Sequence, residues 1–282
     1  MSASWCAWFL AAALLGAVPS GADDTATADL QTCLRQLRSA DRFERERALA
    51  CLAPMAREDA RARRAMVGAL KDRYPEVRAS AASWLGGELG PDAPNEVVTA
   101  LVDALGDDEG RVYEHVVWAF GKIGPGAIPA LEAALPTHNI AAAWALAEIG
   151  KPALPALIRA LKNPKTRGPA AGGIRTMGRK AAPAVPALIE ALGDPDPGMR
   201  ALILSAMRPL GRQAAPAVPA LIVALDDRNH LVRDEAIVVL EAIGPDAAAA
   251  VPKLWAMSRD TQHLDYQTRM NAARAVKKIQ GQ

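Results

Sequence analysis

The octapeptide APAVPALI runs from Ala182 to Ile189 and again, 33 residues later, from Ala215 to Ile222. A looser copy, KPALPALI, runs from Lys151 to Ile158. The second proline serves as a marker. Equivalent positions are Gln31, Arg64, Thr99, Pro129, Pro155, Pro186, Pro219 and Pro252, spaced 26 to 35 residues apart. Self-similarity at a period of about 20 to 50 residues signals a solenoid. Eight units fill residues 29–282, starting near 29, 62, 97, 127, 153, 184, 217 and 250.

Each unit reads as two helices. The first opens at the proline, whose missing N–H is harmless in the first helical turn. Its apolar residues follow at helical spacing, as in Leu188, Ile189 and Leu192. Turns rich in Asp, Pro, Asn and Gly follow, such as GDPDPGM and DDRNHL. The second helix repeats its own pattern: Arg233, Ala236, Leu240, Ile243 and a closing Gly244, matched by Arg200, Ile203, Met207, Leu210 and Gly211. Steps of three and four place the apolar members on one face. The closing glycine predicts a left-handed helix cap. Hydrophobic residues make up 51% but aromatics only 4%, which suits close helix packing better than a sheet. The pattern predicts an all-α fold, a right-handed α-α superhelix of about eight helix pairs.

The segment VPALIEALGDPDPGMRALILSAM and its copies resemble HEAT repeats of the phycobilisome-lyase-like type, over about residues 29–282. Such repeats occur in bilin lyases, in metal-dependent hydroxylases and in many scaffolds. The resemblance therefore implies a binding surface more than a reaction.

The first 22 residues resemble a secretory signal peptide. Trp5 to Val18 is an uncharged apolar run, too short to span a bilayer comfortably. Small residues Ser20, Gly21 and Ala22 precede Asp23 and Asp24, although the n-region lacks Lys and Arg. The other reading is a buried N-terminal helix. Cleavage leaves a short tail, residues 23–28, and no integral membrane segment. It also removes Cys6 and leaves Cys33 and Cys51. These should face the interior of the first unit on antiparallel helices, either as an exported-protein disulfide or as two buried thiols.

Catalysis finds little support. A metal site needs clustered His, Cys and carboxylates, whereas His115, His138, His230 and His263 fall in different units. HEAT-repeat hydroxylases carry His-Glu pairs on several helices. This chain has only Glu114-His115, in reverse order. No phosphate loop or nucleophile motif appears, and no cofactor is expected.

Arg45, Arg78, Arg167, Arg200, Arg233 and Arg269 share one repeat position, with Asp41, Asp72, Asp194, Asp196 or Asp226 in the turns before several of them. One reading is a rail for polyanions. The other, favoured by the regular recurrence, is an internal ladder bonding adjacent repeats.

Departures from the repeat point better to function. Five residues past the ladder position, units three and four carry Trp118 and Trp144, expected on the concave side beside Glu114, Lys122 and Glu148. They are either an aromatic anchor for a partner or packing residues, with Trp144 lying over Gly172-Gly173. Charge is segregated too. Glu88 to Glu114 holds eight acids and one base, Arg111; Lys151 to Ile189 holds eight bases and no acid. Arg175 and Arg208 share one position and Arg179 and Arg212 another. With Lys180 they form either an anion-binding stripe or a solvated face. Finally, RGPAAGGIRTMG puts three glycines into one helix, as a flexible joint or as close packing.

The leading expectation is a non-catalytic, exported, periplasmic or secreted scaffold that presents a concave surface to a protein partner. A binder of an anionic polymer or envelope surface is second. A bilin-lyase-like enzyme is a distant third, because those lyases act in the cytosol. The net charge of +2 gives no global field toward nucleic acid.

Overall fold

A computed structural model describes residues 30–281. The expected signal peptide, the tail after it and Gln282 lie outside the described residues. Fifteen α-helices follow one another with no strand among the described residues: α1 (Leu30–Gln36), α2 (Arg42–Leu52), α3 (Ala60–Ala69), α4 (Pro75–Leu89), α5 (Asn95–Ala104), α6 (Gly110–Ile123), α7 (Ile128–Ile149), α8 (Leu154–Leu161), α9 (Arg167–Met177), α10 (Val185–Ala191), α11 (Pro197–Met207), α12 (Val218–Ala224), α13 (His230–Ile243), α14 (Val251–Arg259) and α15 (Tyr266–Ile279).

The octapeptide reads out as a helix start. In its first copy the leading alanines end a 3₁₀ stretch, Gly178–Ala184, and α10 begins at Val185 with Pro186 in the first turn. Both prolines face solvent, while Ala184, Val185 and Leu188 are buried. Ile189 and Leu192, expected in the core, are half-buried at its edge. Pairs end as the sequence implies, with one refinement. At Gly90, Gly124, Gly150, Gly178, Gly211 and Gly244, φ lies between +49° and +87°. ψ at Gly178 is −137° and at Gly244 −139°. These glycines therefore occupy the mirror image of the β region rather than the left-handed helical one, and only glycine reaches it without steric cost.

Helix packs on helix through one continuous core of Leu, Ile, Val and Ala, from Cys33 to Ile279. The small residues matter. A Cβ on Gly86 would lie 2.5 Å from the Ala119 backbone, and one on Gly173 would lie 2.8 Å from the Ala143 carbonyl. The second helices α4, α6, the C-terminal half of α7, α9, α11, α13 and α15 stack directly on one another, while the first helices touch less. The closer layer of a curved stack is its inner one, so the second helices line the concave side.

Unit four departs from the reading. Its two helices, expected to be separate, are one element, α7. It bends at His138 (φ −103°, ψ 18°) and Asn139 (φ 1°, ψ −85°) without an intervening turn. Pro136 removes an N–H just before the bend. The 26-residue unit has no residues left for the Asp-rich loop.

The arginines form an internal ladder. Arg200 donates to both Asp227 carboxylate oxygens in the next unit and, at 2.8 Å, to the Asp194 carbonyl in its own turn. Arg78 repeats this with Asp107 and the Asp72 carbonyl. Arg45 reaches Asp72 and the Ser39 carbonyl, and Arg167 reaches Asp194 at 2.5 Å. Each acceptor Asp also caps its own turn, as Asp227 does for the Asn229 N–H. Three of the expected turn acids do other work. Asp41 and Asp196 cap α2 and α11, and Asp226 pairs with Lys253. The ladder is interrupted at Arg233, which keeps only its own turn's carbonyls and whose Nε is buried without a partner; Asp260, at the acceptor position of the next unit, bonds the Gln262 and His263 N–H groups and the His263 ring instead. In unit three Tyr113 replaces the arginine. Unit four has no turn to supply an Asp, and an unpaired guanidinium there would carry a large desolvation cost. Tyr113 instead packs on Trp144, ring centroids 5.7 Å apart. Burial, with the Glu114 charge, pushes its hydroxyl up to about 12.

Candidate partner-binding face

On each second helix, the residues five, eight and nine places past the ladder position point away from the first-helix layer. In units three and four the first of these are Trp118 and Trp144. Trp144 is 40% exposed and Trp118 half-buried. The Lys122 ammonium sits 5.0 Å above the Trp118 ring, a cation–π geometry. Gly87 on α4 faces the Trp118 ring at 3.6 Å from where a Cβ would sit. Gly121 on α6 faces the Glu148 stem, which a Cβ there would meet at 2.7 Å. Glu114 and Glu148 are exposed beside the rings. Thus the structure gathers the predicted cluster, but its glycine support differs from expectation. Trp144 does not cover Gly172, where a Cβ would meet nothing within 4 Å; Gly173 packs instead on Ala143 and Leu157. The helix α9 that carries both glycines is unbroken from Arg167 to Met177. Of the two readings of this segment, flexible joint or close packing, the contacts of Gly173 agree with close packing.

Farther along, the same positions shrink to Gly172, Ser205 and Val238. A groove of about 700 Å³ runs across α9, α11, α13 and α15, with Ser205 and Val238 among its lining residues. Arg175 and Arg208 line it from one repeat position, with Ser205, Pro209, Val238 and Ala242 as its partly apolar floor. Arg274 and Lys278 close its far end, both on Glu241 at 3.0 and 3.7 Å. Sequence reasoning misses Arg274 and Lys278 as members of this site, although Arg274 stands five and Lys278 nine places past Arg269. It also misses Trp84, 36% exposed on α4 one step from the tryptophan stripe. The expected pairing of Arg179 with Arg212 does not form part of the groove. Arg212 is held by both carboxylate oxygens of Asp246, at 2.5 and 3.0 Å, while Arg179 and Lys180 are exposed outside it.

Two further features stand on other elements. Cys33 and Cys51 are joined by a disulfide between α1 and α2, with Cα atoms 6.1 Å apart. Ser83 and His115 share a 2.6 Å hydrogen bond between α4 and α6. Burial first, and then the Arg111 charge, push the His115 pKa below its ordinary range, against the opposing pull of Glu114. Among the described residues no group of three or more His, Cys, Asp or Glu is arranged to hold a metal ion. No described helix is long and apolar enough to cross a membrane.

Stacked helix pairs, a repeating Arg–Asp ladder and an open inner face define an α-solenoid. The chain belongs to the HEAT-repeat family, whose repeats match residues 65–139, 100–171 and 185–277. No curated protein matches it. Among solved structures, a mutant of Kap121p superposes with a TM-score of 0.56 at 14% identity, over 89% of this chain and 33% of Kap121p, so the chain spans about a third of that protein's length. Kap121p bound to Pho4p gives a TM-score of 0.56 at 12% identity, over the same shares of both chains. The CpcE–CpcF complex of phycocyanin lyase from Nostoc sp. PCC7120 matches at 18% identity over 93% of this chain and 98% of its own, with a TM-score of 0.38. These are likenesses of fold alone.

Proposed function

We propose that the protein is a non-catalytic, exported interaction scaffold whose inner face holds a protein partner. One observation carries this reading: Trp84, Trp118 and Trp144 lie on three consecutive second helices, two of them more than a third exposed. Large aromatics are normally buried, and exposed clusters of them are the typical anchors of protein interfaces. The solenoid's own cohesion is met elsewhere, by the buried aliphatic core and the Arg–Asp ladder. A related solenoid, Kap121p, has been solved with a protein bound. The disulfide suits an oxidising compartment and agrees with the signal-like N-terminus. The Ser83–His115 contact is poorly placed for catalysis. Both residues lie within helices, whose neighbouring N–H groups are consumed by the helical ladder and leave no donors for an oxyanion.

A second reading is favoured by Arg175 and Arg208 sharing one groove: the basic half of the face takes an anionic ligand.

Affinity capture from an envelope extract tests the first reading. Wild type should retain a protein that the Trp118→Ala/Trp144→Ala variant loses, with both folded by circular dichroism. Identical captures by both would exclude the tryptophan face as the anchor.

A further inference from the structure

We infer that the groove across α9, α11, α13 and α15 is a docking site for a short acidic polypeptide segment, one carrying two carboxylates about three residues apart with an apolar side chain beside one of them. This deepens the second reading above by naming the ligand class.

Four cations and one carboxylate line the groove: Arg175, Arg208, Arg274 and Lys278 against Glu241. Glu241 is 16% exposed and already held by Arg274 and Lys278. Arg175 and Arg208 are exposed, and neither has an acidic partner among the described residues. Their guanidinium groups are thus the ones open to a ligand, and a guanidinium fork matches a carboxylate with two parallel hydrogen bonds. Arg175 stands on α9, and Arg208 directly follows α11, the next second helix of the stack. Packed helices lie about 8–10 Å apart, and a chain in the polyproline II conformation, with three residues per turn at about 3.1 Å each, returns side chains i and i+3 to one face over that span. Ser205 on α11 lines the groove with them, and Val238 and Ala242 line it on the next helix, α13, a surface for an apolar side chain next to the carboxylate that meets Arg208.

The layout disfavours a long phosphate polymer. Such a ligand needs a continuous cationic track. Here the row that supplies Arg175 and Arg208 continues as Glu241 on α13 and, in the other direction, as Ala147 and Gly121. The run of free cations is two rungs long, the length of a peptide motif.

The test is fluorescence anisotropy of the intact protein with a fluorescein-labelled peptide, Ala-Glu-Leu-Ala-Glu-Ala. Its glutamine counterpart and inorganic polyphosphate serve as comparisons. Saturable binding that weakens with added salt is expected, with none for the glutamine peptide. Arg175→Ser/Arg208→Ser should weaken it by about tenfold or more, the scale of losing paired charged anchors. Arg179→Ser/Lys180→Ser removes the same charge outside the groove and should leave binding unchanged. Absence of binding, equal losses in both variants, or polyphosphate binding more tightly than the peptide through the same two arginines would each overturn the inference. Because the Trp118/Trp144 capture reads a different part of the face, failure here leaves the scaffold reading standing.

Discussion

Arg200 holds both carboxylate oxygens of Asp227, at 2.8 and 2.9 Å, across the boundary between the sixth and seventh helix pairs. Both side chains are mostly buried, at 19% and 14% exposure. The guanidinium keeps the Asp227 carboxyl below its usual range through the hydrogen bond between them. Asp227→Ala strips Arg200 of its partner and should destabilise the protein by about 2–3 kcal/mol, the scale of a charge-assisted hydrogen bond with an orphaned half-buried charge. The exposed Lys162–Glu190 pair, at 3.5 Å, is the control: Glu190→Ala should change stability by less than about 1 kcal/mol. Urea unfolding of both variants measures the difference. Equal effects would deny the ladder its structural role.

Neighbouring glycines in α9 should respond with opposite sign. A methyl at Gly172 enters open space and gains helix propensity, so Gly172→Ala should stabilise by up to about 1 kcal/mol. A methyl at Gly173 would come 2.8 Å from the Ala143 carbonyl and 3.0 Å from Leu157. Gly173→Ala should therefore destabilise by about 1–3 kcal/mol despite the same propensity gain. Thermal melts of the two single variants check this. Two stabilised proteins would mean that the helix carries a flexible joint after all.

His115 makes stability depend on pH in a stated direction. Its folded pKa lies below the ordinary value of 6.5 because burial and Arg111 disfavour the charged ring. Below that ordinary value the unfolded chain takes up a proton that the folded chain resists. The neutral ring's contribution is therefore complete above about pH 6.5 and lost as pH falls toward the folded pKa. Wild type should lose more stability than His115→Gln between neutral and mildly acidic pH. Parallel melting curves for the two across that window would contradict the assignment.

The disulfide closes the terminal helix pair, α1 and α2, over a sequence separation of 18 residues. Non-reducing peptide mapping should recover Cys33 linked to Cys51. Reduction should cost about 3 kcal/mol in that unit, read as faster hydrogen exchange in α1 and α2 with α13 unaffected. Recovery of two free thiols from protein purified without reductant would remove the bridge.

Much of the frame was legible because each repeat solves the same local problem. APAVPALI marks a helix start, where proline's missing N–H goes unnoticed. The terminal glycines mark backbone that other residues avoid. The features that single out a face were harder to read, since they depend on the register between repeats. Trp118 and Trp144 stood out as deviations, yet the partner of Trp144 is Tyr113, itself a substitute for a ladder arginine that the missing turn of unit four leaves without an acceptor. The shortened period was the only sign of that lost turn. Arg175 and Arg208 were visible as a pair. Arg274 and Lys278 were not, because Arg269 lies three residues later after its marker proline than Arg233 and Arg200 do after theirs, and their places emerge only when counted from Arg269.

The central claim is that the inner layer of second helices, and not the outer layer, is the interaction face. Site-specific photo-crosslinking in the source cells tests it most directly. One crosslinker replaces Val238 on α13, in the groove. Another replaces Val223 on α12, 73% exposed in the first-helix layer. The account predicts a higher-mass adduct from position 238 and none from position 223. An adduct from position 223 with none from position 238 would contradict it.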